Sequence, residues 1–156
     1  MINFFKLHGL GNDFVLIDSL EQKKDFSSRN RALFTKSFCK KISNRKIGIG
    51  CDQILLLLPS TKRADRKLVI YNADGSPAEM CGNGLRAAAL YLSRQLRQIR
   101  CTFTFETPIG LLRAWVKGGL VTCEMGMPKI LPIPRLIKTD EKLNRFFSTR
   151  TIDKKL

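Results

Sequence analysis

Acidic side chains are scarce in this chain: 13 Asp and Glu stand against 28 Lys and Arg, a formal net charge of +15 over 156 residues. That balance concentrates anionic partners near the surface, from nucleic acids to small metabolites, without choosing among them. The positive residues are spread along the sequence and no aromatic stacking motif interleaves with them. They read as solvated surface, and a nucleic-acid partner is not expected. Long hydrophobic runs are missing too. The apolar run 54–58 stops at Pro59, far short of a bilayer, and Asn3 and Lys6 break any signal-peptide pattern. A membrane partner is therefore not expected, and the cytoplasm is the expected location. There is no C-x-x-C pair, and the five cysteines are odd in number and irregular in spacing, which argues against both structural zinc and a disulfide framework. The single histidine, His8, has no second ligand or carboxylate at a useful spacing, so it reads as a structural hydrogen-bonding group. Neither a G-x-G-x-x-G fingerprint nor a P-loop is present, so nucleotide binding is not expected.

The apolar share, 44%, is enough for one full core. The N-terminal third reads as strand, glycine loop, strand and helix, with strands over 2–7 and 15–18 and HGLGNDF between them. Ser27 or Ser28 suits the helix cap, and Phe34, Phe38 and Ile42 then fall at four-residue spacing on one face. The continuous apolar run Gln53–Leu58 fits a strand buried on both faces, and residues 67–71 form another before the turn residues Asn72, Asp74 and Gly75. Strands over 102–106, 111–117 and 120–125 follow, the last two joined through Gly118 and Gly119. Beyond Pro128 the pattern weakens, because Pro132 and Pro134 block regular structure and residues 138–156 are charged with few apolar anchors. The fold class is α+β, a sheet packed on helices.

The segment EMCGNGLRAAALYL, residues 79–92, sets Cys81 in a glycine-rich turn where an amphipathic helix begins. Leu85, Ala88, Ala89, Leu92 and Leu96 recur at i, i+3, i+4, i+7 and i+11 as a core-facing stripe, while Arg86, Arg94 and Arg97 take the opposite side. The positive end of a helix favours an adjacent anion by about 0.3 to 2 kcal/mol, so a sulfur there is poised as a thiolate. The amides freed by Gly82 and Gly84 also hold an anion. One short motif offers both a base and a carboxylate cradle.

Three more glycine- or asparagine-rich segments accompany MCGNG (80–84): HGLGNDF (8–14), GIGCDQ (48–53) and YNADGS (71–76). Any one of them alone makes a turn and nothing more. Together, Asn12, Gln53, Asn72 and Asn83 supply uncharged groups that donate and accept hydrogen bonds, a set able to fix a polar zwitterion. In this order the four segments resemble diaminopimelate epimerase, a pyridoxal-independent family that interconverts LL- and meso-diaminopimelate for lysine and cell-wall synthesis. The resemblance runs from Ile2 to about Pro128. It implies a mixed, mostly antiparallel sheet wrapped on a central helix, one of two pseudo-symmetric domains. Residues 1–117 then form the N-terminal epimerase domain, and 118–156 the start of a truncated second domain with a charged tail. It implies Cys81 as the first catalytic cysteine and substrate-binding roles for Asn12, Gln53, Asn72, Gly82 and Asn83, the last two at the substrate's α-amino acid end. The implied partner is a small molecule, diaminopimelate, with no cofactor and no metal; a homodimer stays open.

Epimerisation without a cofactor needs a proton to leave one face of a carbon while another arrives on the opposite face, work for one thiolate and one thiol. Amides gripping the carboxylate also stabilise the charge that grows as the carbanion takes enolate character. The family's second cysteine turn and its substrate-gripping Glu-Arg pair have no counterpart after Pro128, so half of a two-base site is expected here. Cys39, Cys101 and Cys123 read as small apolar residues. Cys51, inside GIGCDQ, is the remaining cysteine placed to line the pocket, although no helix follows it. Two rival readings stand beside this one: a racemase of another amino acid on the same fold, and a non-catalytic remnant that binds an anionic ligand or nucleic acid.

Overall fold

In the computed structural model, which describes residues 2–22 and 33–126, the apolar alternations of the sequence become eight strands of one sheet. β1 (Phe5–Gly9) and β2 (Asn12–Asp18) form a hairpin. Its two turn residues, Leu10 and Gly11, both have positive φ, 54° and 85°, the handedness that matches strand twist. HGLGNDF, expected as a loop, is therefore mostly strand. β3 (Gln53–Leu58) runs parallel to β2, and β4 (Arg66–Asn72) runs antiparallel to β3. The two-residue β5 (Pro77–Ala78) pairs on β4, and β6 (Arg100–Thr107) runs parallel to β4. β7 (Gly110–Lys117) and β8 (Leu120–Cys123) complete the order β1-β2-β3-β4-β6-β7-β8 as antiparallel neighbours. Residues 117 and 118, where the sequence suggested a division, lie at the β7–β8 turn, and the compact unit runs on to Gly126.

A parallel pair needs a crossover, and each of the two here carries a helix. α1 (Lys36–Ser43) lies between β2 and β3, and α2 (Gly82–Gln95) between β4 and β6. The cap of α1 is Thr35, whose Oγ1 accepts the Phe38 N–H at 3.2 Å; Ser27 and Ser28, expected as caps, lie outside the described residues, as does the proline-rich, charged stretch after Pro128. The pleat of β2 and β3 sends alternate side chains to two apolar clusters. Phe14, Leu16, Leu55 and Leu57 meet Leu85, Ala88, Ala89 and Leu92 of α2, whereas Val15, Ile17, Ile54 and Leu56 meet Phe34 and Cys39 on the α1 side. Each fully buried leucine or isoleucine of these sets contributes about 1.5 to 3 kcal/mol relative to exposure. Helix α2 touches β1, β7 and β8 as well as the central strands, so the mixed, mostly antiparallel sheet wraps around it. The stripe ends one turn earlier than its spacing implied: Leu96 is the C-cap and is 56% exposed.

Candidate active site

The register Phe14↔Gln53 between β2 and β3, and Gln53↔Asn72 between β3 and β4, lines up one end of three adjacent strands. Paired residues share a face, and Phe14 belongs to the α2-side cluster, so Gln53 and Asn72 project to that side; Asn12, two residues before Phe14, does the same. Gln53 Nε2 donates to Asn72 Oδ1 at 2.9 Å, and Asn72 Nδ2 donates to Ser76 Oγ at 3.1 Å. Gln53 Oε1 is buried and has no partner among the described residues.

Helix α2 begins at this end of the sheet. Cys81 is its N-cap, in extended geometry (φ −143°, ψ 111°), and its Sγ accepts the Gly84 N–H at 3.3 Å. Those first amides have no carbonyl partner within a helix, so a side chain in the cap position is where they are satisfied. Gly84 lets the helix end settle onto β3, since a Cβ there would sit 2.9 Å from Leu55 Cδ2. Asn12 Oδ1 lies 3.7 Å from the Cys81 sulfur, which brings β2 and the helix cap together. Asn83, in the first turn, has its Oδ1 engaged by Arg86 Nη2 and its backbone against Gly9 of β1.

Not every expectation for this end of the fold holds. Cys51 does not line the site: it is 2% exposed, its Sγ donates to Ser43 Oγ at 3.4 Å, and it belongs to the α1-side cluster. Cys51 lies ahead of β3, where Gly50 has a positive φ of 77° and the chain bends at Asp52, so the strand's alternation does not reach it and its side chain packs on the α1 side. Cys101 lies inside β6 rather than ahead of it. The sequence also gave no sign that β8 carries Cys123 and Met125 up to Gly82, with Cys123 Sγ 3.8 Å from the Gly82 carbonyl.

A carboxylate network behind Asn12 also escaped the sequence reading. Asp13 accepts Lys6 Nζ at 2.7 Å and both terminal nitrogens of Arg45, at 2.7 and 3.0 Å. Asp52 accepts Arg45 Nη2 on Oδ1 at 2.8 Å, and on Oδ2 both Asn12 Nδ2 and the Asp13 N–H at 3.0 Å. The Arg45 guanidinium beside Asp13 holds its carboxyl far below the usual carboxylate range, and the Asp13 N–H, with Asn12, lowers that of Asp52. Both are ionised acceptors near neutrality.

Asn12, Gln53 and Asn72 thus share one end of the sheet with a helix-capping thiol, and the family model described as diaminopimelate epimerase matches residues 4–131. The chain belongs to the diaminopimelate epimerase family. The diaminopimelate epimerase of Magnetococcus marinus is 41% identical over 127 residues, which are 81% of this chain and 42% of that protein. That of Carboxydothermus hydrogenoformans is 40% identical over 135 residues, 84% of this chain and 46% of that protein. This family member thus spans about half the length of the curated relatives it matches. Among solved structures, a hydroxyproline epimerase from Agrobacterium vitis has a TM-score of 0.56 at 18% identity, covering 77% of this chain and 40% of that one. A probable proline racemase from Agrobacterium radiobacter K84 has a TM-score of 0.57 at 16% identity, with 74% and 37% covered. At such identities the likeness is one of fold, and it places this diaminopimelate epimerase-like domain on a scaffold with wide use. No helix among the described residues is long and apolar enough to cross a membrane.

Proposed function

We propose that this chain supplies one of the two acid/base thiols of a cofactor-independent epimerase acting on diaminopimelate, and that Cys81 is that thiol. The observation that carries the reading is the Cys81 sulfur at the start of a 14-residue helix, taking the Gly84 N–H and facing Asn12. In this reading the substrate's α-carboxylate rests on the first amides of α2, at Gly82 and Asn83, and its ammonium donates to the carboxamides of Asn12, Gln53 and Asn72. The unpartnered Gln53 Oε1 supports this, since a buried acceptor without a donor costs about 1 to 3 kcal/mol and an ammonium N–H relieves it. The α-proton passes to the sulfur as the C–H bond breaks. The electron pair left on carbon spreads into the carboxylate held at the helix amides, and a second thiol protonates the opposite face. That second thiol comes from outside the described residues: Cys39 and Cys51 are sealed in the α1-side core, and Cys101 and Cys123 lie in strands. The substrate assigns the protein to lysine biosynthesis in the cytoplasm.

Two measurements test the proposal. Saturating diaminopimelate is expected to slow iodoacetamide modification of Cys81 and leave Cys101 unchanged; no protection would overturn the substrate assignment. In deuterated water the 156-residue chain alone is expected to show almost no exchange of the substrate α-proton, and brisk exchange would overturn the one-thiol reading.

A further inference from the structure

The contact between Asn12 and Cys81 is governed from behind. Asp52 occupies the turn before β3, and its Oδ2 takes both the Asp13 backbone N–H and the Asn12 side chain. A carboxylate held ionised by these donors and by Arg45 accepts hydrogen bonds and donates none. The Asn12 atom facing Asp52 must therefore be its nitrogen, and the atom left facing Cys81, 3.7 Å from Sγ, must be its oxygen. An amide oxygen also only accepts, so it takes the S–H of a thiol and opposes the negative charge of a thiolate. The Gly84 N–H acts in the other direction, because it donates to the sulfur and favours the anion. One sulfur thus stands between two partners of opposite preference, and a carboxylate remote from the sulfur decides which way one of them points.

We infer that Asp52 is a positioning residue for Cys81, acting through Asn12: by fixing the amide it presents the Asn12 oxygen, and not its nitrogen, to the sulfur in the unliganded chain and so holds down the reactivity of Cys81. The inference rests on the proposed role of Cys81 as an acid/base thiol. It gives the turn GIGCDQ a purpose distinct from its cysteine, with Gln53 on the substrate side and Asp52 on the thiol side. The Asp13 N–H has a part as well, since it requires an oxygen at that place in Asp52 whatever the residue's charge.

The test is the iodoacetamide rate at each cysteine of the full chain at neutral pH, read by mass spectrometry with Cys123 as internal reference. Asp52→Ala frees the Asn12 amide to turn its nitrogen to the sulfur, and the Cys81 rate is expected to rise about tenfold, the scale of one hydrogen bond to a charged group. Asp52→Asn keeps an oxygen opposite Asn12 and the Asp13 N–H, and the rate is expected to stay within about twofold of the parent. In an Asn12→Ala background, Asp52→Ala is expected to add nothing. Equal acceleration by D52A and D52N would mean that lost charge acts through space, and would overturn the inference. So would acceleration by D52A that persists without Asn12, or a fall in melting temperature common to D52A and D52N with no change in rate. The proposed function fails separately: loss of diaminopimelate protection at Cys81 removes the substrate, and these rate ratios stay readable without any substrate.

Discussion

Two turns of this chain pair glycine with cysteine, and they end in different chemistry. Cys51 follows Gly48 and Gly50 and leads into β3, and its sulfur is buried against Ser43 beside Cys39. Cys81 precedes Gly82 and Gly84 and caps α2; the residue is half-buried and its sulfur receives a backbone N–H. The element that follows makes the difference. The amides of β3 are spent on β2 and β4, whereas the first amides of a helix have no partner of their own and must find one in a cap or a ligand.

The steric side of that contrast has the largest expected effect. A methyl at Gly48 would run into the carbonyl oxygens of Lys41 and Ile42, which are backbone and cannot swing away, so Gly48→Ala is expected to cost about 3 kcal/mol. Gly84→Ala meets a Leu55 methyl that can shift, and about 1 kcal/mol is expected. Chemical denaturation of both variants decides, and equal losses would erase the distinction. Reactivity comes next. Burial, with Cys51 close by, pushes the Cys39 thiol up from its ordinary 9.0 to about 11, which cuts its thiolate at neutral pH about a hundredfold. Iodoacetamide is therefore expected to modify Cys81 at least about a hundredfold faster than Cys39, and comparable rates would break the comparison.

Smaller effects sharpen it. Cys51→Ala removes a packed sulfur and is expected to cost about 1 to 2 kcal/mol, against about 0.5 to 1 kcal/mol for losing the cap in Cys81→Ala. Thermal melts that reverse this order would show that the capping turn, not the buried one, is the structural anchor. The least expected effect lies in the carboxylates that tie the two turns together. Asp13 and Asp52 titrate below their ordinary 3.8 in the folded chain, so their stabilisation is complete above that pH and is lost as acid protonates them below it. Melting temperature is expected to fall on acidification from about pH 4 to about pH 2, and to fall less in Asp13→Asn. With Arg45 half-exposed the difference is small, and identical slopes would remove the network from the account.

What the sequence revealed divides along the same line between local and distant causes. The run Gln53–Leu58 and the stripe after Cys81 were legible because pleat and helix periods act within a few residues. The HGLGNDF segment misled because its glycines and asparagine resemble a loop, while only Leu10 and Gly11 turn the chain and the rest pairs across the hairpin. Asn12, Gln53, Asn72 and Cys81 lie at one end of the fold, and what singled them out in the sequence was the order of four motifs, not any spacing that brings them together. Asp13, Arg45 and Asp52 stayed invisible because their contacts join residues up to 40 positions apart, and a carboxylate with a structural partner has no local signature.

The double burial of β2 and β3 has one more consequence. Val15, Leu16, Ile54 and Leu55 are all apolar, so sliding one strand past the other by a single residue would still leave oily groups against both cores, and the middle of the pair offers little resistance to misalignment. Resistance comes from the ends, where the reciprocal bonds between Asp13 and Asp52 close only in one alignment. The polar residues that frame the Cys81 sulfur are thus also the lock on strand alignment, a duty they keep whatever that sulfur does.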